Sequence, residues 1–128
     1  MADKKRIVVV EDDPAMQDLF RMFLAQEDYV VEVAGDGREA INKIAMAPTD
    51  LIIMDFMLPE KGGYEIIKEI QDMVDGSPPV IAATGRFKDA ETEKDIRSQP
   101  NVVDFFMKPV DHEAFMSAVH KALNDEPA

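Results

Sequence analysis

Five short apolar runs alternate with stretches of helical periodicity along this chain, and four of the runs end on residues that carry chemistry. The endings are Val9-Val10-Glu11-Asp12-Asp13, Ile53-Met54-Asp55, Ala82-Ala83-Thr84 and Phe106-Met107-Lys108-Pro109. An apolar run of four to six residues reads as a buried parallel strand. If the runs form one parallel sheet, their C-terminal ends share the edge at which open α/β sheets bind ligands. That edge gathers at least three carboxylates, a hydroxyl and an ammonium. Carboxylates so crowded repel one another unless a divalent cation sits among them, so the pattern points to a metal site with phosphate chemistry.

The order of elements follows from pattern changes. Residues 7–10 are the first strand. Pro14 opens a helix, where its missing N–H is no loss, and Met16, Leu19, Phe20, Phe23 and Leu24 recur at helical spacing. Residues 29–34 alternate apolar and polar, which suits an edge strand. Gly35-Asp36-Gly37 turns the chain, Ala40, Ile41, Ile44 and Ala45 form a buried helical stripe, and Pro48 stops it. Residues 50–55 are apolar on both faces and therefore central. A loop, Leu58-Pro59-Glu60-Lys61-Gly62-Gly63, precedes a helix carrying Tyr64, Ile66, Ile67, Ile70 and Met73. Strands at 80–84 and 102–107 flank a polar, weakly helical stretch at 88–98, whose apolar residues are Ala90 and Ile96. Phe115, Ala118, Val119, Ala122 and Leu123 mark the last helix.

The expected fold class is therefore α/β, a doubly wound (βα)5 domain. Right-handed crossovers, a polar second strand and apolar first and third strands favour a five-stranded parallel sheet in the flavodoxin-like order 2-1-3-4-5. A single domain spanning 1–128 is expected, with a core at about 5–123 and a tail at 124–128; no linker or fused output domain is anticipated. No Cys is present, which removes disulfide and thiol chemistry. No signal peptide or membrane-spanning run is visible, so a cytoplasmic location is expected. The net charge of −12 opposes binding to bare nucleic acid or an anionic membrane. The basic run Lys4-Lys5-Arg6 reads as a solvated strand entry.

Asp55 is the leading site residue, because it ends the most apolar strand in the middle of the sheet. A carboxylate there can act as a nucleophile and form an acyl phosphate. Glu11 and Asp12 follow the neighbouring strand, and three converging carboxylates suit Mg2+, a hard ion that takes oxygen ligands. Asp13 serves equally well as a helix N-cap or a site residue. Met57 can offer only its backbone carbonyl. The Thr84 hydroxyl can hydrogen-bond a phosphoryl oxygen, and Lys108 binds phosphate as a mobile point charge. The Lys108–Pro109 bond is a candidate for the cis form. His112 and His120 read as surface residues.

In this combination the chain resembles the receiver domain of two-component response regulators, and stand-alone, chemotaxis-type regulators in particular. The likeness runs from about Lys5 to about Leu123. It rests on Glu11-Asp12, Asp55 within Met-Asp-Phe-Met-Leu-Pro, Gly63, Thr84 and Lys108-Pro109, in order and at successive strand ends. The resemblance implies that Asp55 accepts a phosphoryl group from the phosphohistidine of a sensor kinase or phosphotransfer protein. It implies Mg2+ held by Asp12, Asp55 and the Met57 carbonyl, with Glu11 acting through water, and phosphate contacts from Lys108 and Thr84. It also implies a switch. Thr84 moves toward the phosphate, Phe105 turns inward behind it, and the surface of helix 4, strand 5 and helix 5 changes for a downstream protein partner. Direct DNA binding and membrane insertion are not expected. Glu11 stands where Asp is more common, Phe105 lacks the hydroxyl of the frequent Tyr, and Met57 and Arg86 border the phosphate position.

Two catalytic or cofactor-binding classes fit less well. A phosphatase of the haloacid dehalogenase type resembles Asp-x-Asp at the nucleophile, but here the second position is Met57. A flavodoxin-type flavin carrier needs a phosphate loop after strand one, where Glu11-Asp12-Asp13 would repel the phosphate. A third reading is a binding module that keeps the receiver fold without being phosphorylated.

Overall fold

Residues 4–56, 63–73, 78–85 and 90–124 are described by the computed structural model. Five strands, β1 (Arg6–Val10), β2 (Val30–Ala34), β3 (Leu51–Met54), β4 (Val80–Thr84) and β5 (Val102–Met107), alternate with five helices. The helices are α1 (Pro14–Leu24), α2 (Gly37–Met46), α3 (Gly63–Met73), α4 (Ala90–Arg97) and α5 (His112–Leu123). All strand pairs are parallel, in the order β2-β1-β3-β4-β5. The topology expected from the polar second strand is the one observed.

Period-two alternation along the three central strands feeds two separate cores. Val8, Val10, Ile52, Met54, Val80 and Ala82 point to one face and pack with Ala40 and Ile44 of α2, Ile66, Ile67 and Ile70 of α3, and Ile96 of α4. Ile7, Val9, Leu51, Ile53, Ile81 and Ala83 point to the other and pack with Phe20 and Leu24 of α1 and Phe115, Met116, Ala118, Val119 and Leu123 of α5. The near-continuous apolar runs are thus explained by helices covering both faces. Phe115 anchors the second core, with its ring 5.3 Å from Phe20 and edge-on to Phe106 at 6.1 Å.

A register irregularity in β5 matters for the site. Val80 pairs with Val102, but Ile81 pairs with Asp104, so Val103 is an extra residue in the ladder and is half exposed. The bulge resets the alternation. Phe105 then joins the α2/α3/α4 core opposite Ala82, and Phe106 joins the α1/α5 core.

Helix starts follow the caps written in the sequence. Asp13 accepts from the Ala15 N–H, Asp36 from Glu39 and Asp111 from Ala114. Gly37 is the first residue of α2 rather than part of the preceding turn. At the other end of α5, Asn124 takes the left-handed conformation that stops the helix.

Three expectations need correction. Ala45 is exposed and does not belong to the α2 stripe. Arg6 is half-buried rather than simply solvated: its guanidinium donates to the carbonyls of Lys43 and Ala47 and to Thr49 Oγ1, tying the end of α2 to β1. His112 and His120 are not free surface residues. His112 stacks on Phe23 at 4.5 Å, joining α5 to α1, and His120 meets Glu27, in the turn after α1, at 3.0 Å. Tyr64, Met73 and the loop at 57–62 lie outside the side chains described.

The two-core arrangement is testable. Ile53→Ala should lower stability by about 2–5 kcal/mol in urea unfolding, whereas Val103→Ser at the bulge should change it by less than about 0.5 kcal/mol.

Candidate functional site

Strand ladders fix the backbone of each site residue before any side chain is considered. The Glu11 N–H donates to the Ala34 carbonyl at 2.9 Å, extending the β1–β2 ladder by one step. The Asp55 N–H donates to Val10 O at 3.0 Å, and the Lys108 N–H to Thr84 O at 2.8 Å. Thr84 is the last residue of β4 and pairs with Met107. The four strands β1, β3, β4 and β5 therefore deliver Glu11-Asp12, Asp55, Thr84 and Lys108 to one edge.

Their side chains meet there. Lys108 Nζ donates to Glu11 Oε1 at 2.5 Å and to Asp55 Oδ2 at 3.1 Å. The Thr84 hydroxyl donates to Asp55 Oδ1 at 2.9 Å. Glu11 also accepts from the Asp13 N–H at 3.1 Å through its other carboxylate oxygen. Asp12 stands exposed at the rim, and one carboxylate oxygen from each of Glu11, Asp12 and Asp55 lies within 4.8 Å of the others. Glu11 is 1% exposed, Asp55 7% and Thr84 fully buried. The Lys108–Pro109 peptide is cis. Met57 and Arg86 lie outside the described residues.

Burial sets the electrostatics. Loss of water raises the Glu11 carboxyl above its ordinary 4.5; the Lys108 ammonium and the Asp13 N–H pull it back only in part, and the charge of Asp55 adds to the rise. Burial alone would lower Lys108, but its hydrogen bonds to Glu11 and Asp55 overcome that, and its amino group ends above its ordinary 10.5. Burial makes Glu11 hold its proton more firmly than usual, and two carboxylates on one ammonium do the same for Lys108. One positive charge among three carboxylates leaves the edge net negative. Oxygen-only donors around an acidic deficit fit a hard divalent ion such as Mg2+, and no thiolate or imidazole is present to favour a softer metal.

Asp13 serves as the N-cap of α1. The sequence reading missed Gln17, whose Nε2 donates to the Glu11 carbonyl at 2.6 Å and so pins the turn leaving β1. Its position one turn into α1, pointing back at the strand end, was the only available signal.

Residues 7–120 match the family model described as the response regulator receiver domain. The chain belongs to this family. It is 31% identical over 118 residues to the transcriptional regulatory protein TrcR of Mycobacterium tuberculosis, a match covering 92% of this chain and 45% of that protein. It is 34% identical over 106 residues to an uncharacterized 14.6 kDa protein of Leptolyngbya boryana, covering 82% of this chain and 79% of the relative. The chain thus spans less than half of TrcR, and only 26% of the regulator GlrR of Escherichia coli. Among solved structures, the CheY-like receiver domain protein of Methanospirillum hungatei JF-1 superposes with a TM-score of 0.85 at 27% identity, covering 96% of each chain. Five parallel strands in the order 2-1-3-4-5 with five helices are the fold of that relative as well. No helix among the described residues is long and apolar enough to cross a membrane.

The raised Lys108 value gives a pH test with a fixed sign. Its charged form contributes stability that is fully present below the ordinary 10.5 and is lost as pH rises through the higher folded value. Lys108→Met should cost about 1–3 kcal/mol at pH 7.5, because it leaves buried carboxylates without their cation. In urea unfolding, the gap between wild type and variant should hold to about pH 10 and narrow above it.

Proposed function

We propose that this receiver accepts a phosphoryl group on Asp55 from a phosphohistidine, in a Mg2+-dependent reaction, and uses it to change the surface presented to a downstream protein. The observation that carries this reading is the setting of Asp55: a buried carboxylate with Lys108 on one oxygen, Thr84 on the other and the acidic pair of β1 beside it. A carboxylate kept for structure alone needs none of the additional acidic neighbours, which only add repulsion.

In this reading Asp12 and Asp55, with the Met57 carbonyl, would hold the cation, and Glu11 would act through water. Mg2+ would screen the charge between carboxylate and phosphoryl group and help to orient the incoming oxygens. An Asp55 oxygen attacks phosphorus, the phosphorus–nitrogen bond of the donor histidine breaks, and the imidazole nitrogen leaves with the electron pair. Lys108 swings from Asp55 Oδ2 to a phosphoryl oxygen, and Thr84 donates to another. Water later attacks phosphorus and releases phosphate. The donor is a sensor histidine kinase or a histidine phosphotransfer protein. The responding surface is α4, β5 and α5, read through Phe105. The chain is a signalling phosphoacceptor rather than an enzyme acting on a separate metabolite, and its net charge of −12 argues against direct contact with DNA.

Intact-mass measurement after incubation with acetyl phosphate or a phosphohistidine donor tests this directly. The expected result is a gain of one phosphoryl group that needs Mg2+ and is absent in Asp55→Asn. Failure with both donors, in folded protein, would contradict the reading. Thr84→Ala should keep the acceptor but slow its loading by about ten-fold or more, since it removes a donor to the transferring group.

A further inference from the structure

At Glu11 the β1–β2 ladder runs out. β2 ends at Ala34, whose carbonyl takes the Glu11 N–H at 2.9 Å. The Glu11 carbonyl is served from another element: the half-buried Gln17 side chain donates to it through Nε2 at 2.6 Å. Gln17 stands in the first turn of α1, where its own N–H is bonded to the Asp13 carbonyl, so the amide reaches back from a fixed helix. Gly35 lies beside it, since a Cβ there would sit 3.8 Å from Nε2. Glu11 is 1% exposed, and a buried carbonyl left without a donor is costly. Satisfying that carbonyl is one role for Gln17.

A second role follows from peptide geometry. The Glu11 carbonyl shares one rigid plane with the Asp12 N–H and the Asp12 Cα. A bond that fixes the oxygen therefore fixes the direction in which the Asp12 side chain leaves the chain. Asp12 itself is exposed, so packing does little to hold it. The side-chain bonds of its neighbours act elsewhere: Glu11 Oε2 accepts from the Asp13 N–H, Glu11 Oε1 from Lys108, and Asp13 caps α1. Yet one Asp12 oxygen stands within 4.8 Å of oxygens of Glu11 and Asp55. We infer that Gln17 is a positioning residue for the cation site, setting the Glu11–Asp12 peptide plane so that Asp12 can join Asp55 on a divalent ion. This rests on the proposed reading of the edge as a Mg2+ site. A neutral amide suits the task. A Lys or Arg could donate to the same carbonyl, but its charge would offset the negative excess that draws the cation.

Amide NMR of the full chain tests this. In the wild type, one proton of the Gln17 side-chain amide should exchange slowly with water. Mg2+ affinity is read from the amides of Thr84 and Lys108, which belong to other strand ends than the substituted residue. Gln17→Met keeps the length of the side chain and removes the donor; it should weaken Mg2+ binding about ten-fold, with the spectrum of the sheet retained. In an Asp12→Ala background the same change should alter the affinity by less than about two-fold, because the residue being positioned no longer has its carboxylate. Unchanged affinity in Gln17→Met would overturn the inference, since the amide would then serve the buried carbonyl alone. An equal loss with and without the Asp12 carboxylate would overturn it too, and so would two fast-exchanging Gln17 amide protons in the wild type. A wild type with no saturable Mg2+ response would sink both the inference and the reading beneath it. A wild type that binds Mg2+, beside a Gln17→Met that binds it equally well, would sink the inference alone.

Discussion

One ammonium held by two buried carboxylates organises the functional edge of this protein. Lys108 directly follows β5, Glu11 follows β1 and Asp55 follows β3, so the contact ties β5 to two strands with which it does not pair. Glu11 and Asp55 would be costly to bury alone, and Lys108 would be costly to bury without them. The same three groups leave an excess of negative charge at the rim, where Asp12 is exposed. Charge balance is thus met only in part within the protein. That shortfall makes the edge suited to a divalent ion.

The fold supplies this arrangement cheaply. Parallel strands put their C-terminal ends on one side, and each key backbone position is secured by a ladder bond to the neighbouring strand. The side chains then converge without strained loops among the described residues. The helices on the two faces have different consequences. α1 and α5 are joined by aromatic and histidine contacts, including Phe20–Phe115 and Phe23–His112. The short polar α4 has Ile96 as its buried apolar residue among the side chains described, and beside it Arg97 rests on Phe105.

Much of this was legible in the sequence. Unbroken apolar runs announced buried strands, the polar character of β2 announced an edge, and the residues after each run announced the converging groups. What escaped the sequence depended on three-dimensional detail. Ala45 lies on the helix flank rather than its buried face, and apolar periodicity does not separate the two for so small a side chain. Arg6 and the two histidines look like solvent residues because their partners, the carbonyls at the end of α2 and the side chains of Phe23 and Glu27, are distant in sequence or are backbone atoms. The bulge at Val103 leaves no mark in composition, yet it decides which way Phe105 points. Gln17 was missed because it binds a backbone carbonyl, which any turn could offer.

The central claim is that the three carboxylates at the strand ends form a working divalent site beside Lys108. A Mg2+ titration followed by backbone amide NMR tests it most directly, in wild type and in Asp12→Asn. The account expects one saturable transition centred on residues 11, 12, 55, 84 and 108, weakened by about ten-fold or more in the variant. No saturable change at these strand ends, or an equal response in Asp12→Asn, would contradict it.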